Sequence, residues 1–413
     1  MAKRSGKKKM QLVLGIIILV VGLAVAGGGV FFSQANRHKK ELAEFIRTSP
    51  SAAMVAYTLD ENGQPGMDGS EVFHNADTQL VMASTMKIVI LAAYADAVER
   101  GELNPNEQVA IADLEAYYLP RTDGGAHIAG LASVGLPTDS EGFAKDPSAK
   151  IMLDDIARIM IHNSGNAETD YLMVRLGAER IAATLAAAGM EQHTPFHSIL
   201  GISLAIFNHE APLIESAQRQ SLLDAVAEGD FSALEALADR YLRDPNWRAA
   251  QLAFMQSQAF TESANQMGWE GQVSASQLFP KGTAREYAHL LAQIASGKFI
   301  SPAVSERIQQ KLETSPADNP MRFLFHKRYG AKDGVTAGVL TLVSYAAPKR
   351  GALAGKTRVV VILTNDLPYN AWVNMLQFQS IYLLQADLSK GATILYSEDL
   401  SVNRDRVAVV LSR

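Results

Sequence analysis

The 413-residue chain contains no cysteine. This absence excludes a disulfide framework, a lipid-modified cysteine anchor and any chemistry that needs a thiolate. An excess of positive charge is also absent outside the N-terminus: the net charge is −5, the first 40 residues carry eight Lys or Arg and no acid, and subtracting those eight charges leaves −13 for the rest. An acidic body lacks the basic surface that binds phosphate backbones, so nucleic acid is excluded as a partner.

An uncharged apolar run over residues 12 to 32 follows a basic tail, residues 1–10. Its 21 positions are enough to cross a bilayer, and the basic tail predicts that the N-terminus stays cytoplasmic. A small-residue stretch, Ala24-Val25-Ala26, is the alternative signature of a cleaved signal peptide. We favour a transmembrane anchor over residues 11–32, and both alternatives predict an exported, periplasmic or extracytoplasmic domain.

The segment that follows the anchor predicts a helix and then a pair of strands. Residues 33–49 have apolar side chains at helical spacing and predict a juxtamembrane helix that packs on the sheet. Residues 54–59 predict a strand, and residues 79–82 predict its return partner, which delivers the chain to Ser84. The first unit is therefore expected to be a hairpin that leads into a helix.

Helical patterns dominate the middle of the chain, about residues 91–298, with extra helices at 209–280. Two β-branched runs, another helical pattern and a strand-like extension over 391–413 follow. These patterns predict an α+β domain over residues 50–390, in which sheet elements from both ends meet around a mostly helical half.

Ser84 and Lys87 lie three positions apart in VMASTMKIVILAAYADAVERGEL, where an apolar helix is expected to begin. Residues three apart share a helix face, so the lysine nitrogen can reach the serine hydroxyl. A helix N-terminus and a second cation nearby would lower the lysine pKa, and a neutral amine could then take the serine proton. The alternative is a helix start followed by a surface lysine, and the same spacing recurs at Ser5 and Lys8. Because IVILAAYA is apolar nearly all round, Lys87 is predicted to be buried, which favours a catalytic pair.

Two further motifs stand at suggestive positions. Ser164-Gly165-Asn166 interrupts a helical stretch with three turn-forming residues, and its alternative interpretation is a plain helix connection. Lys332-Asp333-Gly334 precedes VTAGVLTLVSY, which predicts a lysine at the start of a central strand. The S-x-N spacing recurs at Ser263 and Ser401, and the K-x-G spacing recurs at Lys349. Only the position of each motif in the predicted fold distinguishes the candidates from these repeats.

The order Ser84-x-x-Lys87, Ser164-x-Asn166, Lys332-x-Gly334 resembles the penicillin-recognising serine hydrolases, most closely the class A β-lactamases. The resemblance covers residues 50 to about 390 and includes the sequence around each motif. It implies a β-lactamase/transpeptidase-like α+β fold with an antiparallel sheet and flanking helices.

The resemblance also implies a role for each motif residue. Ser84 would be the acylated nucleophile, Lys87 its general base, and Ser164 a proton shuttle to the leaving group. Asn166 and Gly334 would contact the substrate, and Lys332 would keep the site electropositive. The main-chain N–H groups of Ser84 and Val335 would form the oxyanion hole.

The sequence departs from this family first on the loop after the second motif. The class A enzymes carry there a glutamate that activates water for deacylation, and the matching position falls near Ile199. No acid lies between Gln192 and His209, although Glu191 or Glu210 could reach in if the loop is rebuilt. Fast turnover of β-lactams is therefore not expected.

Asp333 is the second departure, because the family has threonine or serine there to help bind the substrate carboxylate. A carboxylate pointing into the cleft would disfavour penicillins and free D-alanine termini, and would favour substrates that lack the carboxylate or bear an amine. In the alternative, Asp333 faces away and forms a salt bridge. Lys332 or Arg328 could offset its charge.

Residues 113–127 could supply Tyr117 or Tyr118 as an aromatic cleft wall, which makes Tyr118 a candidate substrate contact. The scattered histidines show no metal-ligand spacing, so we expect no metal and no cofactor.

The sequence thus predicts an exported, membrane-anchored serine hydrolase that acts through an acyl-serine on a small-molecule or peptidoglycan-derived amide or ester. The rivals are a true β-lactamase, a D-alanyl-D-alanine peptidase of the penicillin-binding protein type, an esterase of unknown target, and a sensor or scaffold that keeps the fold without turnover.

Overall fold

The structure is a computed structural model that describes residues 33–66, 68–313 and 325–391. The described strands are β1 (Ala52–Leu59), β2 (Pro65–Gly66), β3 (Val72–His74), β4 (Leu80–Val81), β5 (Gln108–Ala110), β6 (Lys150–Met152), β7 (Lys281–Gly282), β8 (His326–Thr336), β9 (Val339–Pro348) and β10 (Arg358–Thr364). The main sheet is antiparallel, with the order β2-β1-β10-β9-β8 among these strands, and β3 also pairs with β1. Two small ladders, β4-β7 and β5-β6, lie outside this sheet.

The central strands are apolar throughout because both faces of the sheet are covered. In β10, Val359 and Val361 pack on the helical half, whereas Val360 and Ile362 pack on the other face. Successive strand side chains point to opposite faces, so a strand buried on both sides becomes a continuous apolar run.

The helices divide between the two faces. Residues 33–48 form the first helix, α1, and its Leu42 and Ile46 are fully buried against the sheet, as predicted for this segment. The other described helices are α2 (Lys87–Glu99), α3 (Ile111–Glu115), α4 (Ala126–Ser133), α5 (Leu153–His162), α6 (Asn166–Leu176), α7 (Ala178–Ala187), α8 (Ile199–Ile206), α9 (Ser216–Ala227), α10 (Ser232–Arg243), α11 (Pro245–Gln256), α12 (Gln258–Ser276), α13 (Ala284–Ala295), α14 (Pro302–Leu312), α15 (Tyr369–Gln377) and α16 (Ser380–Ser389).

Helix α2 forms the centre of the helical half. All of its residues except the last, Glu99, are buried, as expected of a helix that is apolar all round. Residues 209–280, where the sequence predicts extra helices, form α9 to α12, and their buried apolar side chains cluster with those of α8.

Two local expectations are wrong. The return strand predicted at residues 79–82 is β4, which pairs with β7 and not with β1. VTAGVLTLVSY is not one strand, because residues 337 and 338 turn the chain between β8 and β9, and Gly338 supplies the positive φ of 72°. Lys332 consequently lies well inside β8, which is an edge strand of the described sheet.

The predicted anchor over 11–32 and the strand extension beyond residue 391 lie outside the described residues. Within the described ranges, none of the helices combines the length and apolar character needed to span a bilayer.

Candidate active site

Ser84 lies in a single 3₁₀ turn, Ala83–Met86, immediately before α2. Ala83 adopts a positive φ of 46°, which is uncommon for a residue with a side chain and marks backbone strain at the turn. The Thr85 hydroxyl donates to the Met82 carbonyl at 2.6 Å and braces the turn. Ser84 is partly exposed and lines a cavity, so the strained turn presents a serine to solvent.

The 3₁₀ geometry aligns Ser84 with Lys87, because side chains at i and i+3 eclipse in such a turn. Lys87 is fully buried, and its Nζ donates to the Ser164 carbonyl at 2.6 Å, the Gly165 carbonyl at 3.3 Å and Asn166 Oδ1 at 2.8 Å. Among the hydrogen bonds of the described residues, none joins Lys87 Nζ to Ser84 Oγ. Three acceptors suit an ammonium group, so this arrangement represents the protonated resting form.

Burial and the nearby charge of Lys332 lower the pKa of Lys87 to about 7. The carboxylates of Glu168, Asp123 and Asp170 act in the opposite direction. A substantial fraction of Lys87 is therefore neutral at pH 7, which is the form that a general base requires.

The second motif is the turn between α5 and α6. Ser164 has a positive φ of 70°, and the Gly165 carbonyl also accepts from the Thr169 hydroxyl at 2.7 Å. A Cβ on Gly165 would lie 1.8 Å from Glu168 Oε2, so only glycine fits against that buried carboxylate. The motif is thus more than a helix connection, because its carbonyls point at Lys87.

Below this turn lies a buried cluster that the sequence did not reveal. His127 is fully buried; its Nδ1 lies 2.8 Å from Glu168 Oε1 and its Nε2 lies 3.5 Å from Glu115 Oε1. Burial opposes the charged ring, but hydrogen bonds to Glu115 and Glu168 outweigh it and raise the pKa of His127 to about 9. His127 is therefore a cation that compensates two buried carboxylates. The residues lie 12 and 41 positions apart, beyond any local pattern.

The third motif brings an edge strand against the nucleophile turn. A Cβ on Gly334 would lie 2.8 Å from both the Ser84 nitrogen and the Met82 carbonyl oxygen. Thr341 Oγ1 donates to the same Met82 carbonyl at 3.0 Å and ties β9 to the turn. Glycine at this position thus lets the β8 backbone approach Ser84, and Val335, which follows it, is exposed to the cavity.

The Asp333 side chain both lines the cavity and forms a salt bridge, the two arrangements that the sequence left open. It lines the cavity with 45% of its side chain exposed, yet its Oδ1 accepts from Lys332 Nζ at 3.2 Å. Lys332 is nearly buried and also donates to the Asp333 carbonyl at 2.9 Å. Burial would raise the pKa of Asp333, but the Lys332 charge and a hydrogen bond with Tyr382 hold it below its usual value. The carboxylate is therefore ionised at neutral pH.

The loop that carries Ile199 places no acid at the site. The Ile199 and Leu200 nitrogens donate to the Asp170 carboxylate at 2.9 and 2.6 Å, at the start of α8, and both side chains are buried. Glu210 is bound to Arg240 on the surface, and Glu191 is exposed away from the cavity. The carboxylates that line the described cavity are those of Asp123 and Asp333.

The cavity that holds the motifs has a volume of about 880 Å³ and brings together Ser84, Ser164, Asn166, Asp333 and Val335. Tyr118 is a correction to the sequence analysis. Its side chain is buried, with 2% exposure, and its ring stacks on that of His127 with the centroids 4.2 Å apart. Because His127 is itself buried, this packing holds Tyr118 away from the cleft.

The aromatic wall comes from other parts of the chain. Trp269 belongs to α12, and Tyr369 and Trp372 belong to α15. The sequence analysis predicted an aromatic cleft wall but assigned it to Tyr117 or Tyr118. No local pattern could connect Trp269 with Tyr369, which lie about one hundred positions apart.

Several solved structures resemble this fold. A β-lactamase from Sphaerobacter thermophilus DSM 20745 has 16% identity and a TM-score of 0.49 over 87% of this chain and 97% of that chain. A PBP-A mutant in its acyl-enzyme complex with penicillin G has 16% identity and a TM-score of 0.46 over 85% and 96%. A β-lactamase from Chitinophaga pinensis DSM 2588 has 11% identity and a TM-score of 0.46 over 85% and 98%. No curated protein matches this sequence.

The sequence model of the beta-lactamase enzyme family matches residues 37–341, which include all three motifs. The match spans well over half of the chain. The chain therefore belongs to the beta-lactamase enzyme family and is a serine hydrolase.

Proposed function

We propose that this protein is an exported, membrane-anchored hydrolase that forms an acyl-enzyme on Ser84 with a β-lactam or a cell-wall-related amide or ester. The observation that carries the proposal is the fully buried Lys87, with its pKa lowered to about 7, on the same face of the turn as a partly exposed serine. Export rests on the apolar run after the basic tail.

In the acylation step, neutral Lys87 takes the proton from Ser84 Oγ as that oxygen bonds to the substrate carbonyl carbon. The carbonyl electron pair moves onto oxygen, where the N–H groups of Ser84 and Val335 stabilise it. When the carbonyl re-forms, the bond to the leaving group breaks, Ser164 Oγ gives its proton to the departing atom, and the proton that Lys87 took from Ser84 replaces the one that Ser164 loses. Asn166, which lines the cavity beside Ser164, holds the substrate amide.

We infer that acyl groups leave Ser84 slowly when a β-lactam is the substrate. By the family resemblance the deacylating acid is expected near Ile199, which is not an acid, and the cavity carboxylates have other partners. Asp123 accepts from the Gly125 and His127 nitrogens, and Asp333 is paired with Lys332. This supports a penicillin-binding protein or D-alanyl-D-alanine peptidase as the second candidate over a fast β-lactamase.

The test is intact-mass spectrometry of the full chain in detergent after incubation with penicillin G and, separately, with a small fluorophosphonate. We expect each reagent to add its mass once to the wild type and not to Ser84→Ala. Ser216→Ala, which changes an exposed serine on α9, is the matched control and should be labelled like the wild type.

The lifetime of the penicillin adduct separates the candidates. An adduct that persists for hours supports the penicillin-binding interpretation, whereas one that decays within seconds identifies a β-lactamase. If neither reagent labels folded wild-type protein, the acyl-serine proposal is wrong and the non-turnover scaffold replaces it.

A further inference from the structure

The cavity that holds Ser84 is also lined by three aromatic rings, and one of them, Trp269, contacts the other two. The ring centroids of Trp269 and Tyr369 are 5.1 Å apart in an edge-to-face arrangement, and those of Trp269 and Trp372 are 5.2 Å apart. Tyr369 is 55% exposed, so this cluster is open to a ligand in the cavity.

The chain holds these rings in place by specific contacts. Trp372 Nε1 donates to the Val339 carbonyl at 3.2 Å, which anchors its ring on β9. Gly268 interrupts α12 with φ 65° and ψ 178° directly before Trp269, a conformation that a residue with a side chain rarely adopts. The kink at Gly268 therefore helps to orient the Trp269 ring toward α15.

Of the Lys332–Asp333 ion pair on this side of the cavity, the carboxylate is the exposed member, since the Lys332 side chain is 2% exposed. Asp333 is ionised and exposes 45% of its side chain, and the charge of Lys332 is largely engaged by that carboxylate. Arg121 also lines the cavity, but its guanidinium donates to the Met255 carbonyl and lies 4.3 Å from the Phe260 ring centroid. A carboxylate in the ligand would thus meet a like charge, whereas a cation would meet an acid and aromatic rings.

Carboxylates and aromatic rings together favour alkylammonium groups. The negative face of an aromatic ring attracts a cation, and the attraction grows when water is excluded, as between ring walls. A quaternary or primary ammonium group gains from both partners, whereas a neutral group of equal shape gains only from the apolar surface.

We propose that Asp333, Trp269, Tyr369 and Trp372 form a subsite for an ammonium group on the substrate acyl chain. The proposal rests on the proposed acyl-serine function, because the subsite shares its cavity with Ser84. It assigns to this enzyme a preference for cationic acyl groups over anionic ones.

The experiment uses three p-nitrophenyl esters with the full chain in detergent. They are the 4-(trimethylammonio)butanoate, its neutral isostere 5,5-dimethylhexanoate, and the hemiglutarate, which bears a carboxylate. The measurement is kcat/KM from nitrophenolate release. We expect a preference of about tenfold for the cationic ester over the isostere, with the hemiglutarate slowest.

Asp333→Asn should reduce the ratio of the cationic ester to the isostere to about three and should speed the hemiglutarate relative to both. Tyr369→Ala, at an exposed position, should reduce the same ratio about threefold by removing one ring. Glu228→Gln is the matched control, because Glu228 is an exposed acid at the end of α9 that does not line the catalytic cavity, and its ratio should equal that of the wild type.

A wild-type ratio of one or less overturns the subsite, as does a ratio that survives both Asp333→Asn and Tyr369→Ala. These outcomes differ from failure of the proposed function, in which no ester is cleaved in a Ser84-dependent manner.

Discussion

The two walls of the cleft around Ser84 are built in opposite ways. On the helical side, Lys87 and His127 are fully buried, and their polar atoms contact specific acceptors within hydrogen-bond distance. On the other side, Asp333 and Tyr369 are about half exposed. The difference separates two tasks: burial shifts pKa values and fixes geometry for proton transfer, whereas exposure leaves a surface for selecting the ligand.

The two walls also differ in origin. The buried wall consists of the nucleophile turn and the α5–α6 turn, both inside the residues that match the family model. The exposed wall combines Trp269 of α12 and Asp333 of β8, which lie inside that match, with Tyr369 and Trp372 of α15, which lie beyond it. The buried wall thus lies wholly within the part of the chain that matches the family model, whereas two of the three rings of the exposed wall come from outside it.

The largest effect is expected from breaking the buried wall at its base. Lys87→Met should slow fluorophosphonate labelling of Ser84 by about 10³-fold, because the proton acceptor is lost. For the wild type, the labelling rate should rise between about pH 6 and pH 8, since the neutral amine predominates above its pKa of about 7. A wild-type rate that is flat over this range would contradict the assignment of Lys87 as the base.

Gly334→Ala tests where the two walls meet. The added Cβ would lie 2.8 Å from the Ser84 nitrogen, so β8 or the turn must shift, and we expect labelling to fall by about 10²-fold. Val335→Ala is the control; it shortens an exposed neighbouring side chain and keeps the backbone, so the rate should change far less. Equal rates for Gly334→Ala and the wild type would remove the argument for the close approach.

The buried cation can be tested by its effect on Lys87. His127→Asn should destabilise the fold by about 3–5 kcal/mol, because it leaves buried carboxylates without their charge partner. The uncompensated Glu168 should also raise the pKa of Lys87 and move the pH midpoint of labelling upward.

Glu168→Gln supplies the opposite arm, since it removes the carboxylate and should move that midpoint downward. Denaturant unfolding and pH profiles of labelling measure both variants. Midpoints that shift in the same direction would show that the cluster does not act through the charge of Glu168. Lys332, Asp123 and Asp170 also face Lys87 and are unchanged in both variants.

The smallest effect is expected outside both walls. Glu210→Gln removes an acid that pairs with Arg240 on the surface. Because this carboxylate does not line the cavity, the decay rate of the penicillin adduct should equal that of the wild type, as followed by intact mass. A slower decay would identify Glu210 as the deacylating base and would contradict the placement of its loop.

Local sequence was sufficient for part of the site. The burial of Lys87 was predicted because the α2 sequence is apolar on all of its faces. The turn at Ser164 was predicted because three turn-forming residues lie between two helical stretches. The split of one predicted strand into β8 and β9 was missed, because Gly338 was treated as part of a β-branched run. Tyr118 was misplaced because nothing in the local sequence shows that its ring stacks on the buried His127.

The sequence by itself determined the three motifs, the order of helices and strands around them and the acidic character of the body, because each depends on neighbours along the chain. Only the tertiary structure decided that His127 neutralises Glu115 and Glu168, that Gly334 reaches the Ser84 nitrogen, and that Trp269 meets Tyr369. These contacts join segments that are distant in sequence. Periodicity reports which face of an element is buried, whereas the partner on that face is set by how the whole chain packs.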